Sequence, residues 1–213
     1  MTDRLSIYGA ALLVCGDRKL LSLTESSDRT KMLDQVWNGG GVDTCLQAGL
    51  WNFASRSVQL DFDPDFQSPF GYRYAFTKAS DWKRTMGVCS DEYFNQPLTQ
   101  YLEEGNRLFS DIDRIWVRFV SNDVNFGGNL ALWPENFTRY VEQYFAYRIC
   151  NRLVQSKDEK EGIQKDLKML LSAAKSTDAM SEPTGMLPLG TWANARTSRR
   201  SRLDRGNRGS LIG

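Results

Sequence analysis

Ile115-Trp116-Val117-Arg118-Phe119-Val120 and the later run Trp133-Pro134-Glu135-Asn136-Phe137-Thr138-Arg139-Tyr140-Val141-Glu142-Gln143-Tyr144-Phe145 decide the fold class between them. In the first, Ile115, Val117 and Phe119 alternate with Trp116, Arg118 and Val120, the period of two that belongs to a half-buried strand. In the second, Phe137, Val141, Phe145, Ile149 and Leu153 recur every four residues, and Tyr140 and Tyr144 widen the stripe. That is the period of a helix, opened by Pro134 at a favourable first-turn position. Blocks of both periods in one chain predict an α+β fold.

Working outward, more helical pattern lies on both sides. Ser156-Lys157-Asp158-Glu159 fits a capping box. Ile163, Leu167, Leu170, Leu171 and Ala174 supply the apolar face of the helix it opens, with Glu161 and Lys165 spaced to pair on the wet side. Towards the N-terminus, Thr2 is placed to cap a first helix that carries Leu5, Tyr8, Leu12 and Leu13 and stops at Gly16. A second carries Met32, Leu33, Val36 and Trp37, meets Gly39-Gly40-Gly41, and resumes through Val42, Leu46 and Leu50. Glycine costs about 1 kcal/mol relative to alanine inside a helix, so the helix kinks there or packs closely on a neighbour. A phosphate-cradling loop would need a lysine or a fingerprint spacing that is missing.

Between these helices the strand period returns. Phe70, Tyr72, Tyr74 and Phe76 alternate with Gly71, Arg73 and Ala75, and Ser57 to Phe62 is a weaker strand. Glu104-Gly105-Asn106 is a hairpin turn by composition, flanked by Gln100 to Glu103 and Arg107 to Ser110. The reading is helices over 2–16, 27–51, 134–155 and 157–175, with one small antiparallel sheet inserted at 52–121. The folded body ends near residue 180 and an extended arm occupies 181–213.

Charge sets the arm apart. Arg196, Arg199, Arg200, Arg202, Arg205 and Arg208 face a single acid, Asp204, giving +5 in a chain of net charge +1. The rest of the chain therefore carries −4, and a mildly acidic body ends in a basic arm. Leu187, Leu189 and Trp192 precede the arginines, and apolar side chains on such a segment want a partner surface.

Composition closes off several chemistries. Histidine is absent, which excludes Ser-His-Asp and Cys-His nucleophiles and imidazole zinc sites. Cys15, Cys45, Cys89 and Cys150 form no C-x-x-C pair and read as small buried hydrophobes. No apolar run reaches the roughly 18 residues of a membrane span, and the start of the chain lacks a secretory cleavage signature. Asp61, Asp63 and Asp65 could bind a cation or do acid/base work, but they alternate with Phe62, Pro64 and Phe66 as one wet strand face leading into a turn. The further ligands of a calcium loop are missing. No cofactor, metal or catalytic residue is expected.

Taken in order, Ala10-Ala11-Leu12-Leu13 ending at Gly16, Leu23-Thr24, Trp51-Asn52-Phe53-Ala54, Phe70-Gly71-Tyr72-Arg73-Tyr74-Ala75-Phe76, Asp81-Trp82-Lys83-Arg84 and Gly105-Asn106-Arg107-Leu108-Phe109-Ser110-Asp111 resemble the tail tubular protein A family of podophages. The resemblance spans roughly residues 5–175. The triple glycine and the absence of a proline before Asp81 depart from it. It implies a head-to-tail adaptor in a short-tailed bacteriophage: a helical bundle with a β-rich extension, assembled as a homo-oligomeric ring of twelve copies in the neck of the virion after synthesis in the host cytoplasm. Its partners would be the portal protein above and a tail nozzle, tail tubular protein B-like, below. Genomic DNA would pass through without specific recognition. On that view Leu187, Leu189, Trp192 and the six arginines form a portal-docking arm. The alternative makes the same arginines a non-specific nucleic-acid contact with a steep salt dependence.

Overall fold

The structure, a computed structural model, describes residues 2–25, 27–66, 68, 71–154 and 156–181. Among them are five α-helices and two three-stranded antiparallel sheets, so the fold is α+β.

The first helix, α1 (Arg4–Val14), is capped by Asp3 and not by Thr2: the Asp3 carboxylate accepts from the Ser6 amide at 2.7 Å and the Ser6 hydroxyl completes a capping box. A carboxylate there also faces the positive end of the helix dipole, which a hydroxyl does not exploit as well. Gly16 follows the helix in the left-handed region at φ 73°. The predicted helix over 27–51 is two helices, α2 (Asp28–Asn38) and α3 (Gly41–Gln47). Both reasons offered for the triple glycine hold. Gly40 turns the chain at φ 80°, and a Cβ on Gly41 would lie 3.0 Å from the Val36 side chain and 3.3 Å from the Phe145 ring.

The next helix, α4 (Glu135–Leu153), is the hub. It is buried on most of its circumference, through Phe137, Thr138, Tyr140, Val141, Gln143, Tyr144, Phe145, Ala146, Ile149 and Cys150. A helix enclosed on several sides has no strong polar face, and α4 packs against α1, α2, α3 and α5. Pro134 sits one residue before the first turn, as its N-cap. In α5 (Lys157–Met180) Ser156 accepts from the Glu159 amide, the N-cap half of the predicted capping box. That helix runs past the predicted end at 175, because its last turn is held from outside: the Asn52 amide donates to Asp178 Oδ2 at 2.9 Å and Asn52 Nδ2 to the Asp178 carbonyl at 3.0 Å. Glu161 pairs with Lys157 at 3.6 Å rather than with Lys165.

The insertion holds two sheets where one was predicted. Strands β1 (Ser55–Asp61), β6 (Arg114–Ser121) and β3 (Trp82–Cys89) form one in the order β1-β6-β3; β2 (Tyr74–Thr77), β5 (Arg107–Ser110) and β4 (Leu102–Glu104) form the other in the order β2-β5-β4. Splitting gives the aromatic strand an apolar partner: Phe76 and Leu108 of one sheet meet Val88, Ile115 and Val117 of the other in a core of their own. Phe70 lies outside the described residues, and the ladder of β2 begins at Tyr74. The hairpin β4–β5 turns through Gly105 at φ 56°, the sign a two-residue turn asks of its first central residue.

Strand β6 serves two cores. Ile115 and Val117 point into the β core, and Val120, on the other face, joins the helical core with Trp51, Phe137 and Phe145. The seam between helices and sheets is tight at Gly127, where a Cβ would meet Ala54 Cβ at 2.9 Å and Leu46 Cδ2 at 3.0 Å. Trp51 anchors the helical side, with its ring 4.9 Å from Phe137 and its indole N–H donating to the Cys45 carbonyl at 3.2 Å.

Candidate interaction surfaces

Leu187, Leu189, Trp192, Arg196, Arg199, Arg200, Arg202, Arg205 and Arg208 lie outside the described residues. The body that precedes them is what the structure describes, and three parts of it bear on chemistry or binding.

The first is the carboxylate run. Asp61 is bound to Arg114 at 2.7 Å and Asp63 to Arg107 at 2.9 Å, and the Asp65 amide donates to Asp63 at 3.2 Å. The guanidinium groups of Arg114 and Arg107 hold the Asp61 and Asp63 carboxyls below the usual carboxylate range. An acid/base catalyst needs a pKa moved toward the working pH, and these move away from it. The arrangement ties the end of β1 to β5 and β6. No group of three acidic or cysteine side chains among the described residues is placed to hold a metal ion.

The second is the helix–sheet seam. Burial acts to raise the Asp81 carboxyl, but the Ser121 hydroxyl at 2.5 Å and the Arg56 guanidinium at 2.8 Å outweigh it and hold the group low. Asp43 likewise takes Lys83 at 2.9 Å and the Asn122 side-chain amide at 2.9 Å. Beside Asp43 a groove of about 250 Å³ runs between Trp37 and Trp133. Its carboxylate is already paired, and the Trp133 N–H donates to the Gly127 carbonyl at 2.8 Å. Three of the cysteines are buried and Cys15 partly so: burial pushes the Cys15 thiol up to about 11, with Cys150 adding to it, and raises Cys45, Cys89 and Cys150 as well. Thiols kept protonated are poor nucleophiles.

The third is the outside of the helical bundle, where sequence reading pointed to the long helix pair as a source of contacts between copies but named no residues. A groove of about 490 Å³ follows the outer side of α1, with Leu5, Gly9, Ala10 and Leu13 along it and Lys19 and Glu142 at its sides. Leu13 is 52% exposed, and Leu21, in the loop that follows, is 92% exposed. On α5 the outward side carries Lys165, Lys168, Met169, Ser172, Lys175 and Ser176, all exposed, with Met169 at 62%. A methionine on the wet side of an amphipathic helix was the available signal.

The chain matches no protein-family model and no curated protein.

Proposed function

We propose that this protein is a structural head-to-tail adaptor of a short-tailed bacteriophage, a homo-oligomeric ring between portal and tail nozzle through which genomic DNA passes. The observation that carries the reading is the ordered series of segments resembling tail tubular protein A, from Ala10-Ala11-Leu12-Leu13 to Gly105-Asn106-Arg107. A helical bundle bearing a separate small β body is in keeping with it. So are the ties that Asp43, Asp61, Asp63 and Asp81 make within the chain; the reading assigns the protein no reaction.

On this reading the arm docks on the portal. Leu187, Leu189 and Trp192 seat in apolar pockets and the arginines pair with acidic grooves, so that ordering the arm is coupled to assembly. A chain truncated after Leu189 is expected to keep the folded body by circular dichroism and to lose portal binding. Undiminished binding by the truncated chain contradicts the docking role.

The six arginines favour one second reading, non-specific binding of nucleic acid by the arm. Neutralising several phosphates makes affinity fall steeply with salt. A salt titration against random-sequence duplex tests it: affinity that falls steeply as salt rises supports the nucleic-acid reading, and no binding to duplex even at low salt contradicts it.

A further inference from the structure

Two helix faces of the body present exposed apolar and charged side chains together. Along α1 the groove is lined by Leu5, Ala10 and Leu13, with Gly9 buried against the Lys19 side chain. A small residue flanked by leucines, here Ala10, lets another helix approach closely, and the interaxial distance depends on side-chain size at the contact. Glu142 stands at the edge of this groove, half-buried, with Lys19 beside it; among the described residues it makes no ion pair within 4.0 Å, and Asp3 lies at the end of the groove. Burial raises its carboxyl despite Arg139 and Lys19 nearby, a desolvation cost that a closer charge from a partner would offset.

The outward side of α5 is the complement. Between Lys165 and Lys175 there are three lysines and one acid, Asp166. None of the three lysines has an ion-pair partner among the described residues. Met169 stands between them, and Ser172, Ala173 and Ser176 give the face its low profile. Flexible methionine fills irregular grooves.

We propose that the α1 groove of one copy receives the outward face of α5 from the next, Met169 entering between Leu5, Ala10 and Leu13 while Lys165 and Lys168 approach Glu142 and Asp3. The proposal rests on the ring reading and names the surfaces that make the ring. The two faces belong to different helices, each packed on α4. Copies joined through them in one direction are related head to tail, and such contacts make a ring where the rotation closes and a filament where it does not.

Cross-linking tests it. Ala10→Cys and Met169→Cys chains are mixed at on the order of 0.5 mM, where a contact of millimolar Kd is substantially populated. They are treated with a short bis-maleimide, with the wild-type chain in parallel to set the background from Cys15. The proposal predicts a cross-linked dimer in the mixture, little from either variant alone, and a ladder of multimers from the chain carrying both substitutions. Reversing Lys165 and Lys168 to Glu is expected to cut the yield roughly tenfold, and Glu142→Lys in the partner to restore part of it. Cross-links confined to like with like, or a yield indifferent to these charges, overturn the proposal. Sedimentation of the same samples keeps the two claims apart. Association without the Ala10–Met169 link refutes these surfaces and leaves a ring possible through others. Protein that stays monomeric at this concentration overturns the self-contact itself.

Discussion

Asp81 shows how much one side chain holds. It accepts from Ser121 and Arg56, and its carbonyl takes the Asn122 amide at 3.1 Å, so β1, β3 and β6 meet at one residue. Its carboxyl titrates lower in the folded chain than in the unfolded one. The stability it contributes is then complete above the unfolded value, about 3.9, and is lost as pH falls through the lower folded value. Urea unfolding between neutral pH and pH 3 is expected to show a loss of stability on the acid side that Asp81→Asn makes smaller. An acid dependence identical in the variant contradicts that role. At this scale the sequence was informative about type and silent about partners. That Asp61, Asp63 and Asp65 line a strand and its turn could be read from their alternation with Phe62, Pro64 and Phe66. That Arg114 and Arg107 would take Asp61 and Asp63 could not, because the pairing depends on strand register. Asp3 displaced Thr2 as the cap for a local reason, its reciprocal bond with Ser6, and that pattern was present in the sequence to be found.

Among the elements, strong periodicity was legible and interrupted periodicity was not. The helices α4 and α5 and the strand β6 followed from their apolar repeats. Strand β3 did not, because its pairing with β6 shifts register between Trp82 and Arg84 and again between Thr85 and Gly87, which blurs the alternation over Trp82–Cys89. The last turn of α5 was also missed, since nothing in residues 176–180 repeats; Asn52 and Asp178 hold it through tertiary bonds. Asp178 is buried, and removing a hydrogen-bonded buried carboxylate leaves the Asn52 amide without its acceptor, at a cost of about 1–3 kcal/mol. Asp178→Ala is accordingly expected to lower stability by that amount and to raise hydrogen exchange at residues 176–180 ahead of the rest of the helix. Exchange unchanged there would mean that helix propensity alone holds the turn.

At the scale of the whole molecule, β6 makes the body one piece by feeding one face into the helical core and the other into the β core. The split into two sheets was beyond sequence reading because both sheets show the same period and only long-range packing separates them. The candidate surfaces divide in the same way. The basic arm was visible as composition, whereas the α1 groove and the α5 lysine face emerged only once α4 was seen to occupy the inner sides of both helices. The proposed adaptor role stands or falls on assembly with a portal. Light scattering of the purified protein at micromolar concentration, alone and mixed with its portal, is expected to show a monomer that becomes a large complex of fixed stoichiometry only with portal; no association, together with salt-sensitive binding to random duplex, overturns that role.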